Sequence, residues 1–150
     1  MMIDAEKIRE IFYNASEEGL CCERCKWLFK DRVEKFIKET GVDGVDALVS
    51  LVGEEESKYP SECSRIVWAL AEIEDSITLA KRIATNRAFL RYKSLWVIEE
   101  AVEGVETLDD LDCEEDLRNV LQVAGLSDFL LRSVAEQVLD YVVSRKKEVG

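Results

Sequence analysis

Apolar residues recur every three to four positions along almost the whole chain, and nowhere alternate long enough to make a strand. A period near 3.6 places those residues on one side of a helix, so the pattern commits the chain to amphipathic α-helices. Glycines, among them Gly41, Gly104 and Gly125, fall between the periodic segments, where a helix ends or reverses. The single proline, Pro60, suits a first helical turn, where its missing N–H costs nothing. The spacing predicts eight helices, over about 4–18, 20–39, 45–57, 60–74, 76–84, 87–103, 113–124 and 127–147. Asp4, Ser76 and Ser127 are the expected caps of the first, fifth and eighth. In the fifth, Ile77, Ala80, Ile83 and Ala84 are expected to point inward.

With 150 residues, 47% of them hydrophobic, the chain makes one all-α domain with a real core. Lys and Arg number 20 against 32 Asp and Glu, a net charge of −12 that argues against a direct nucleic-acid binder. The absence of His removes the commonest general acid/base and the commonest metal ligand. Paired acids such as Glu54-Glu55-Glu56 and Glu114-Glu115-Asp116 sit at helix starts and in linkers, where they stay solvated or favour the helix dipole. No catalytic signature emerges, and the expectation is a protein that is not an enzyme and needs no cofactor. No signal segment or membrane-length apolar run is visible, which predicts a cytoplasmic protein without a membrane partner. Asn and Gln total only five beside abundant Glu and Lys, the composition of a heat-resistant protein.

Five cysteines are an odd number, unsuited to a secreted disulfide framework. Cys21, Cys22 and Cys25 share the helical face of Leu28, Phe29, Val33 and Phe36, and read as small core hydrophobes. The Cys22-x-x-Cys25 spacing keeps open an alternative, a cysteine-based metal or redox site.

The even-numbered helices lie over one another in a repeat. Trp27, Trp68 and Trp96 set its register, and Gln137 takes the same place in the last helix, with separations of 41, 28 and 41 residues. Leu131-Arg132-Ser133-Val134-Ala135-Glu136-Gln137-Val138-Leu139 resembles the second helix of a HEAT-type (armadillo-like) repeat, and Leu90-Arg91 through Val97-Ile98 and Ile66 through Ile73 are similar. The resemblance covers three of four units. It implies a short α-solenoid of antiparallel helix pairs that acts as a non-catalytic protein-binding scaffold, with Arg91 and Arg132 bonding along the stack. A compact, irregular helical bundle is the structural alternative.

Each tryptophan projects opposite its helix's apolar stripe, so nothing local covers the rings. They are covered by neighbouring helices, or they anchor a partner or a second copy of this chain. Glu23, Asp31 and Glu34 fall near Trp27, Glu72 and Asp75 near Trp68, and Glu99, Glu100 and Glu103 near Trp96. Carboxylates beside indoles suit a Lys- or Arg-bearing protein partner. The expected partner-binding residues are therefore Trp27, Trp68, Trp96, Glu72 and Glu100. A rival reading makes the acidic chain a nucleic-acid mimic that occupies the site of a basic protein.

Overall fold

The computed structural model describes residues 3–17, 23–124 and 128–149. Eight α-helices follow in order: α1 (Ala5–Glu17), α2 (Glu23–Thr40), α3 (Val42–Glu55), α4 (Pro60–Glu72), α5 (Leu79–Phe89), α6 (Leu95–Thr107), α7 (Glu114–Ala124) and α8 (Phe129–Val149). No strand occurs among the described residues. Asp4 caps α1 by accepting the Glu6 N–H at 2.9 Å, and Pro60 opens α4. Both follow from the backbone groups that a helix start leaves unpaired. Ser127 lies outside the described residues; Asp128 accepts the Leu131 N–H and caps α8.

Buried side chains from all eight helices make one continuous apolar core, from Ile11 in α1 to Val142 in α8. Helix α4 is its axis: it packs on α1, α2, α3, α5 and α6. The even helices are neighbours in series, α2 on α4, α4 on α6 and α6 on α8. Helices α3, α5 and α7 each back onto the even helix that follows them. Lys26 reaches Trp68 and Glu34 reaches the Glu74 amide, so positions rise together and α2 and α4 run parallel. Glu103 and Glu106 face Val134 and Gln137, and Asp109, just beyond α6, meets Tyr141, so α6 and α8 are parallel too.

The fifth helix departs from its apolar pattern. Ile77 is 85% exposed, Ala80 and Ala84 face solvent, and Ile83 is half-buried. The buried face carries Thr78, Arg82, Thr85, Asn86 and Phe89 instead. Arg82 donates to the Leu70 and Asp75 carbonyls, both at 2.8 Å, and to Thr78 Oγ1 at 3.1 Å. It thereby satisfies backbone oxygens that the end of α4 leaves unpaired. Asn86 donates to the Ala101 carbonyl at 2.8 Å. These needs outrank the burial of two alanines. Ser76 is not the cap: Asp75 accepts the Thr78 N–H and hydroxyl, and α5 starts later, at Leu79.

Gly104, expected in a linker, lies inside α6 against Asn86; a Cβ there would stand 2.6 Å from Asn86 Oδ1. The acidic stretch after α6 is a tight turn. Buried Asp110 accepts both arms of the Arg87 fork at 2.6 and 2.7 Å, and Asp109, at φ 52°, accepts from the Tyr141 hydroxyl. Arg91, in the turn before α6, reaches across to Asp116 of α7 at 2.8 Å, whereas Arg132 pairs with Glu136 one turn away on its own helix; Arg82 and Arg87 add further bonds between elements.

Candidate functional site

The even helices α2, α4 and α6 carry the expected binding residues, and the fold brings two of the three indoles into contact. Trp27 and Trp68 meet edge to face, with ring centroids 5.8 Å apart and planes at 69°. That geometry sets the positive edge of one indole on the negative face of the other. Trp27 remains 45% exposed, while Trp68 is partly buried against the core. Trp68 is therefore covered more than its helical position suggested. Helix α4 is enclosed by five neighbours, and no residue along it is fully exposed.

The cations on these rings come from the chain itself. Lys26 Nζ stands 4.4 Å from the Trp68 centroid and Lys30 Nζ 4.9 Å from that of Trp27. Sequence reasoning passed over both lysines. Their spacing of four places them on one side of α2, facing α4, and was the available signal. Two acids expected near the rings also serve the fold. Glu34 accepts the Glu74 N–H at 2.7 Å, which holds its carboxyl below the usual range, and Asp75 is bonded to Thr78. Glu72, the last residue of α4, is partly exposed.

Trp96 stands apart from the other two indoles. It is the second residue of α6 and 56% exposed. Residues 90–94, expected inside the sixth helix, form the turn between α5 and α6; Glu56 Oε1 accepts the Lys93 N–H there. Trp68 is nine residues into α4 and Gln137 nine residues into α8, and the matching position in α6 is Glu103. The tryptophans thus do not share one level.

Carboxylates gather on α6. Glu99, Glu100, Glu103 and Glu106 follow at helical spacing, and no ion pair engages them among the described residues. Burial raises the Glu100 carboxyl to about 7, reinforced by Glu103 and Glu99 and opposed by Lys26 and Arg65. Burial and Glu99 raise Glu103 as well. The Arg65 Nε is buried without a hydrogen-bond partner. Between α6 and α8 an open cleft of about 470 Å³ is lined by Glu103, Glu106, Thr107, Val134, Gln137 and Val138. The layer thus carries the paired indoles with Lys26 and Lys30 between α2 and α4, and the α6 carboxylates Glu100 and Glu103 lie within the electrostatic reach of Lys26.

The cysteine reading is corrected in part. Cys25 is half-buried and disulfide-bonded, so it is neither a free core thiol nor an available thiolate ligand. A thiol on the first turn of α2, reachable by solvent, is open to oxidation in a way that buried thiols are not. Cys21 and Cys22 lie outside the described residues. Cys63 and Cys113 are buried and free, with burial raising each thiol to about 12. Leu28, expected on the buried face with them, is 48% exposed. No metal-holding group of Cys, Asp or Glu occurs among the described residues. None of the described helices is long and apolar enough to cross a membrane.

No family model, curated protein or solved structure matches this chain.

Proposed function

We propose that this chain is a non-catalytic protein-interaction module, a short HEAT-like stack whose even-helix face docks a Lys- or Arg-bearing helical segment. One observation carries the reading. Trp96, more than half exposed, lies one turn before Glu99 and Glu100 on α6, and no ion pair engages these or the following Glu103 and Glu106 among the described residues. Like charges one turn apart on a helix repel, and a large ring left in water favours being covered. A cationic amphipathic partner relieves both at once. Its apolar side covers the indole, and its ammonium or guanidinium groups meet Glu99 and Glu103, which lie on either side of the more buried Glu100. Trp27 offers a second anchor at the far side of the face. Tryptophan is a favoured interface anchor, and truncating one costs 2 kcal/mol or more, as an order of magnitude.

The test uses two designed helical peptides of equal length, one of Leu and Lys, the other of Leu and Glu, titrated against the protein's tryptophan emission. The Leu/Lys peptide binds, weakens as salt is added, and loses about tenfold or more in affinity to Trp96→Ala. Binding that Trp96→Ala leaves intact favours the charge-mimic alternative. Equal binding of both peptides, or of neither, overturns the proposal.

A further inference from the structure

The cleft between α6 and α8 is walled differently on its two sides. Its α6 wall is acidic: Glu103 and Glu106 line it, and Glu99 stands one turn before Glu103 on the same side of the helix. Glu100 turns instead toward Arg65 of α4 and Lys26 of α2. The α8 wall, Val134, Gln137 and Val138, carries no charge. Leu130, 72% exposed, lies one turn before Val134, so apolar side chains continue along α8 to about the level of Glu99. Trp96 heads the α6 side, one turn before Glu99. At 1.5 Å per residue, the carboxylates from Glu99 to Glu106 extend over about 10 Å, two turns of helix.

We propose that this cleft is the seat of the cationic segment, which lies in it as a helix with its apolar stripe on Trp96, Leu130 and Val134 and its Lys or Arg residues along the α6 edge alone. The inference rests on the interaction reading above, and adds where the segment lies and how its charges are arranged. Charge complementarity selects the occupant. Carboxylates one turn apart repel one another, and no ion pair engages Glu99, Glu103 or Glu106 among the described residues. Cations at the same spacing on a facing helix meet all three. On the other edge a cation would face Val134 and Gln137, and would lose water without gaining a counter-charge. A second copy of this chain brings a net charge of −12, the wrong sign for the α6 wall.

Two helical peptides of one composition, Leu, Lys and Gln, test the proposal against the full chain by tryptophan emission. One carries every lysine on a single flank of its leucine stripe; the other divides them between both flanks. The one-flank peptide is expected to bind about threefold or more tighter. Gln137→Lys, at an exposed position across the cleft from the carboxylates, is expected to keep the helical circular dichroism and to weaken that peptide about fivefold or more. Gln137→Glu puts acid on both walls and is expected to remove the preference for one flank. Equal binding of the two peptides, or binding that Gln137→Lys leaves unchanged, overturns this seat while the interaction reading stands. Failure of both peptides to bind overturns the two together. A solution mass of twice 17.1 kDa that Gln137→Lys returns to 17.1 kDa overturns the seat in favour of a second copy.

Discussion

Arg82 donates three hydrogen bonds from a buried position, two of them to carbonyls around the end of α4. Arg82→Met keeps the volume but leaves those oxygens dry and unpaired, and unfolding by urea is expected to register a loss of about 2–4 kcal/mol. Arg82→Lys recovers only part of it, because an ammonium lacks the planar fork. Glu100 acts in the opposite direction. Its folded carboxyl titrates near 7 against an ordinary value of 4.5, so the folded state holds a proton that the unfolded chain has released. Stability from this group is therefore greatest below about pH 4.5 and falls as pH rises through 7. Glu100→Gln is expected to stabilise the protein by about 1–2 kcal/mol above pH 7 and to do little in mild acid, as urea unfolding at the two pH values would record. Glu100 was legible in the sequence as a candidate because it follows Trp96 by four positions. Its desolvation was not, since burial is set by how the other helices pack on α6, and neither was the opposing effect of Arg65 and Lys26, which come from α4 and α2.

At the scale of the element, apolar spacing located α1, α3, α4 and α7 to within a few residues, because their buried stripes are made of the residues that define the pattern. Helix α5 broke the rule. Its inward side carries Arg82, Thr85 and Asn86, whose work is to satisfy carbonyls of α4 and α6, a tertiary demand that a single helix does not advertise. The five-residue turn before α6 was missed for a related reason. Leu90 and Phe89 are buried and continue the helical spacing, while the turn is closed by the distant Glu56 side chain. The α5–α6 approach gives a third prediction. Gly104→Ala drives a methyl group into Asn86, which is buried and bonded to Ala101 and so has little room to yield. Thermal unfolding should show a loss of about 1–3 kcal/mol. A double-mutant cycle with Asn86→Ala should be non-additive, since both changes act on one contact.

For the whole molecule, the series α2, α4, α6 and α8 supplies a layer on which aromatic and charged groups from separate helices meet. The eight helices and the outward direction of Trp27 and Trp96 were legible from periodicity alone. The levels of the rings were not, because matching tryptophan to tryptophan ignores how late α6 begins. The account turns on the even helices presenting accessible indoles in opposite electrostatic surroundings, with Lys30 over Trp27 and Glu99 one turn from Trp96. Charged quenchers of fluorescence read this directly in two single-tryptophan proteins, Trp68→Phe with Trp96→Phe and Trp27→Phe with Trp68→Phe. Iodide is expected to quench Trp27 more strongly than caesium does, and caesium to quench Trp96 more strongly than iodide, with the Leu/Lys peptide protecting Trp96. Rings that neither ion reaches, or that respond alike to both, would contradict the account.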